Sequence, residues 1–62
     1  MTNIDCHISF VRACGRLEKL GMTANAFSAY AECQRLINQG NLARRKFNLD
    51  DAARLFDMAA ST

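Results

Sequence analysis

The sequence predicts an all-α fold: a three-helix domain built on an antiparallel helical hairpin, its third helical region broken near Asn48. Three observations carry this reading. Apolar residues recur at spacings of three and four in three successive stretches. A capping residue stands at the head of each stretch. In the stretch Leu17 to Leu36, Gly21 is followed by Ala26, Phe27, Tyr30 and Cys33, the order of small and aromatic residues that lets two short antiparallel helices pack closely.

The first helix is predicted to start at Thr2, with Asp5 three residues on in capping-box fashion. It runs to about Leu20, where Gly21 is placed to take a left-handed C′ conformation. Cys6, Phe10, Ala13, Leu17 and Leu20 share one face of it and form its core stripe. The second helix is predicted from Thr23, as N-cap, to Gln39, with Gly40 as its stop. Ala26, Ala29, Tyr30, Cys33, Leu36 and Ile37 make its apolar face, flanked by Phe27, while Asn25, Ser28, Glu32 and Arg35 point away.

The third region is less regular. Leu49, Ala52, Ala53, Phe56, Ala59 and Ala60 make a clean stripe, but carrying the wheel back puts Phe47 on the polar side. The phase therefore breaks near Asn48, an N-cap with Asp51 at the capping-box position. A short helical turn over Leu42 to Phe47 is expected, then a final helix from Leu49 to about Ala60. Arg44, Arg45 and Lys46 fall at the end of the turn, and Asp50 and Asp51 at the start of the final helix, both as the helix dipole favours.

Residues 1–62 are read as a single small helical domain. A chain of this length buries only about 60% of its unfolded surface, so a disulfide, a metal or a second chain usually adds stability. Cys6, Cys14 and Cys33 cannot all pair within the chain. No charged n-region, apolar h-region or cleavage site follows Met1, so free thiols and a cytoplasmic location are expected. Oligomerisation or a bound partner is then the expected supplement. No apolar run approaches the ~20 residues that cross a bilayer, and no membrane contact is expected. A net charge of +2 permits nucleic-acid contact without demanding it.

Ile4, Ile8 and Val11 also keep helical spacing, with Gly15 continuing their line, yet they project opposite the core stripe at about 100° per residue. Either the third helix or the N-terminal turn folds over this second apolar face, or the face is a homodimer seam or a partner groove. The second reading is preferred, because a small domain rarely has enough chain to wrap a helix on both sides.

The chemistry of catalysis is thinly represented, and the chain is read as no enzyme. His7 is the single histidine, and no serine or cysteine is spaced to use it as a base. Cys6 and His7 diverge by about 100° on a helix, and neither a C-x-x-C nor an i, i+4 Cys/His pair occurs, so neither a metal nor a cofactor is expected. The run Arg44-Arg45-Lys46, with Arg35 near it in sequence, is the only concentrated charge. It is read as a solvated helix end, with contact to phosphate or an acidic partner as the alternative. The segment 42–60 also has the outline of a helix-turn-helix, but Asn48 replaces a well-placed glycine and the second helix exposes Asp50, Asp51 and Asp57. Nucleic-acid binding is therefore not favoured.

Leu17, Gly21, Ala26, Tyr30 and Cys33 resemble one tetratricopeptide-type helix pair. Leu49, Ala52, Phe56 and Ala59 echo Thr23, Ala26, Tyr30 and Cys33 at an offset of 26 residues. That is short of a full repeat of about 34, so no repeat array is expected. Ala13, Leu17, Glu18, Gly21, Ala26 and Tyr30, followed by Asn41 and Arg44 or Arg45, also resemble the small bacterial and phage regulators of the ANR and PerC type. Tyr30 stands where tryptophan is usual there, Thr23 where an aromatic follows the glycine, and no cysteine follows the arginines. The resemblance implies a regulator acting through protein contacts, often with a nucleoid-associated or transcription protein. The function expected is a homodimeric regulatory adaptor with a host or bacterial protein target. A phage-encoded inhibitor of a host protein and a small DNA-binding regulator using residues 42–60 are the alternatives.

Overall fold

Thr2 opens the first helix as its N-cap, its Oγ1 accepting the backbone N–H of Asp5 at 3.2 Å. The computed structural model describes residues 2–62. They form α1 (Asn3–Met22), α2 (Phe27–Arg45) and α3 (Leu49–Ala60), with no strand among the described residues. The all-α class and the three helices are as the periodicity predicts.

The helices run up, down and up. Each packs on both others, with α3 the principal partner of α1 and of α2 alike. α1 and α3 therefore lie parallel, level with one another at a constant sequence offset. Phe10 meets Phe56 edge-on with ring centroids 5.2 Å apart. Arg16 reaches across to the carbonyl of Thr62 with Nε at 3.1 Å and Nη2 at 2.7 Å. Between these levels the thiol of Cys33, from α2, points at the carbonyls of Ala59 (3.4 Å) and Ala13 (3.9 Å). Small residues at that level, Ala13, Cys33 and Ala59, let three helices converge, and all three are buried. The resulting rod measures 35 × 16 × 13 Å.

The core stripes are those the spacing picks out. Cys6, Ala13 and Leu20 of α1, Cys33, Leu36 and Ile37 of α2, and Ala52, Phe56 and Ala59 of α3 are buried together, with Phe10, Leu17, Ala26, Ala29 and Tyr30 packed against them. Phe56 is the largest wholly buried side chain.

The helix ends differ from expectation at each glycine. Gly21 lies inside α1 with ordinary helical backbone, and Asn25 instead takes the left-handed conformation (φ 71°). Gly21 is spaced for contact: a Cβ there meets the ring of Tyr30 at 3.3 Å. Thr23 closes α1, its hydroxyl donating to the Lys19 carbonyl at 2.9 Å, and does not cap α2, which begins four residues later behind Ala26. Gly40 does not stop α2 either; the helix continues to Arg45 and absorbs most of the short turn expected over Leu42 to Phe47. The break near Asn48 is present. Asn48 precedes α3 without a side-chain cap bond to the backbone, and its Nδ2 donates instead to Asp51 Oδ2 at 2.7 Å.

Candidate functional site

Ile4, Ile8 and Val11 stand exposed on α1, Ile4 at 72%, and neither α3 nor the N-terminal turn covers them. Gly15 continues the line, exposed, with nothing within 4 Å of the position a Cβ would take. Toward the first residues of α1 this face deepens into an open groove of about 620 Å³ where α1 meets the joint between α2 and α3. Ile4, Ile8, Phe47 and Leu49 line it together with the polar Asn3, His7 and Arg44.

Phe47 is the least expected member. It is 88% exposed and has φ 60°, a backbone conformation that a bulky L side chain disfavours. Its position follows from how α2 ends. The N–H of Asn48 donates to the Ala43 carbonyl and that of Phe47 to the Arg44 carbonyl, both at 3.0 Å. These two bonds are a Schellman motif, with Phe47 in the C′ place that glycine usually fills. A local reading of the sequence misses this residue because nothing near it marks the left-handed site.

The four cations singled out by the sequence are not brought together. Arg35 turns to Glu32 on its own helix in an exposed ion pair. Arg44 lies over the aromatic core, its guanidinium carbon 4.8 Å from the Phe10 ring centroid and 5.6 Å from that of Phe56, while donating to Asn41 Oδ1 at 3.0 Å. Arg45 and Lys46 are exposed at the end of α2. Arg44 thus serves packing as well as charge. On α3, Asp50, Asp51 and Asp57 are exposed, with Arg54 3.9 Å from Asp51.

Two further large apolar side chains stand exposed at the opposite end of the rod. Met22 and Phe27 are about as exposed as Phe47 and flank the turn between α1 and α2. Phe27 borders a shallow cleft with Leu20, Ala26 and Tyr30. Met22 had a sequence signal: it sits seven residues past Gly15, on the same line as Ile4, Ile8 and Val11.

Cys6, Cys14 and Cys33 are free thiols, Cys6 and Cys33 buried and Cys14 half-buried. Burial pushes the Cys33 thiol above its ordinary value, partly offset by the nearby Arg16 charge. His7 lies beside Phe10 with ring centroids 6.0 Å apart. Among the described residues, no three histidine, cysteine or acidic side chains are grouped to hold a metal ion, and no helix is long and apolar enough to cross a membrane.

No family model, curated protein or solved structure matches this chain.

Proposed function

We propose that this protein is a small non-enzymatic regulatory adaptor that works by binding other proteins, modulating a transcription or nucleoid-associated protein. One observation carries the reading: large apolar side chains stand exposed at both ends of the domain, with Leu42 and Met58 exposed besides, although no polar or charged residue is buried among the described residues. Ile4, Ile8 and Phe47 mark one end, Met22 and Phe27 the other. Large exposed apolar surface is characteristic of protein-binding sites, and the groove lined by Ile4, Ile8 and Phe47 is such a surface. Aromatic side chains in such patches are typical anchors of binding energy. The backbone strain at Phe47 points the same way, since such conformations concentrate at sites of recognition and switching.

Direct DNA reading by residues 42–60 has less support. The exposed side of α3 carries three carboxylates, and Arg44 is engaged with Phe10 and Asn41. Phosphate-driven binding needs free cations in one patch.

The test is capture of a bacterial protein from lysate by the immobilised chain, at about 0.1 and 0.5 M salt, beside a gel-shift titration with duplex DNA. The adaptor reading expects one protein retained at both salt concentrations and lost with Phe27→Ser. Duplex binding that collapses at the higher salt and with Arg45→Gln/Lys46→Gln, with no protein retained, overturns it in favour of the DNA-binding alternative.

A further inference from the structure

Four exposed apolar residues of α1 are spaced four, three and four apart: Ile4, Ile8, Val11, Gly15. That is the a/d rhythm of a narrow coiled-coil seam, on the side of α1 opposite its buried stripe. Glu18 takes the next position of the rhythm and ends the apolar run. The seam runs over residues 4–15, roughly 16 Å of helix.

We infer that this face pairs with a second copy of the same chain about a two-fold axis, with the two α1 helices antiparallel, Ile8 against the partner's Val11 and Ile4 against the partner's Gly15. A two-fold contact must be self-complementary, each residue meeting its counterpart twice. The antiparallel arrangement also matches large to small along this stripe. It sets the most exposed isoleucine against the position that has no side chain and open space around it. The parallel arrangement instead opposes Gly15 to Gly15, leaving a void.

The flanking charges select the same register. Asp5 and Arg12 lie along one border of the stripe, both exposed. In the antiparallel pair each Asp5 stands beside the partner's Arg12, giving two opposite-charge contacts, whereas the parallel pair brings His7 toward the partner's Arg12. On the other border, Phe47 projects beside Ile4 and Ile8 at the edge of the groove and widens the seam over the partner's Gly15. A seam this short is smaller than the interfaces of permanent dimers, and the pair is a reversible one. Met22 and Phe27 lie beyond the paired segment and stay free for a different protein. The dimer and the adaptor reading stand or fall separately, since a monomeric chain can still hold a target at Phe27.

Sedimentation equilibrium from about 1 to 200 µM tests the seam. The expected result is a species of twice the 6.9 kDa chain mass, abolished by Ile8→Asp with helicity by circular dichroism unchanged. Asp5→Arg and Arg12→Asp are each expected to weaken association about tenfold, and the Asp5→Arg/Arg12→Asp double exchange to restore it to within about threefold. A monomer throughout the range overturns the inference. So does a dimer indifferent to Ile8→Asp, or a double exchange as weak as the sum of its parts.

Discussion

The ring of Phe56 lies so close to the backbone of Gly40 that a Cβ on Gly40 would stand 2.5 Å from Cε1 and 2.8 Å from Cδ1. The glycine sits in the interior of α2, where alanine ordinarily stabilises a helix by about 1 kcal/mol. Here the sign reverses. Phe56 is wholly buried between α1 and α2 and has no room to retreat, so Gly40→Ala overpacks the core. After the helix-propensity gain, a net loss of about 2 kcal/mol is expected, read as a fall of roughly 10–15 °C in melting temperature.

Gly15→Ala is the matched control, and the opposite outcome is expected. Gly15 is also mid-helix, but nothing lies within 4 Å of its Cβ position. Alanine there removes backbone entropy from the unfolded chain without a clash. Denaturant unfolding in an Ile8→Asp background, which removes self-association, should show a gain of about 0.5–1 kcal/mol.

These two glycines also mark how far the sequence is legible. The stripes within 6–20, 30–37 and 52–59 are local patterns with a period of 3.6, and the residues their spacing selects are buried in the core or packed against it. The break near Asn48 is legible for the same reason, because the phase of the stripe fails there. Gly40 is not legible: a glycine after a helical run reads as a stop, and only the arrival of Phe56, sixteen residues on, turns it into a packing site. The groove is also non-local. Ile4 and Phe47 become neighbours because α1 and α3 run parallel and their first turns stand side by side, a relation that no window of sequence contains. Arg44 reads as a free cation until its two aromatic neighbours, from α1 and α3, are in place.

Phe47 should trade stability for binding. Glycine at this C′ position adopts the left-handed conformation without steric cost, and the exposed phenyl ring gives up little burial when removed. Phe47→Gly is expected to raise the stability of the chain by about 1 kcal/mol, measured by urea unfolding in the Ile8→Asp background. The same substitution in the otherwise native chain should weaken self-association, since it removes the aromatic border of the groove. A variant that is less stable than the parent would show that the ring has a packing role its exposure does not reveal.

Cys33 gives the domain an alkaline limit. Its thiol is enclosed between α1 and α3 and directed at the carbonyls of Ala59 and Ala13, which only the protonated sulfur can satisfy as a donor. Burial raises its pKa above the ordinary 9.0, the Arg16 charge opposing this in part. In the unfolded chain the thiol ionises at its ordinary value, so between that value and the folded one the native state binds more protons than the unfolded state. The contribution of Cys33 to stability is therefore full below pH 9 and is lost as pH rises through the folded value, with a slope of at most about 1.4 kcal/mol per pH unit. Urea unfolding at a series of pH values from 8 upward, for the native chain and for Cys33→Ala, isolates this part from other alkaline titrations. The native chain should lose stability more steeply than the variant above pH 9, while the variant is less stable at pH 8 through its lost packing. Parallel curves would mean that the thiol ionises alike in both states, and that the contacts to Ala59 and Ala13 do not hold its proton.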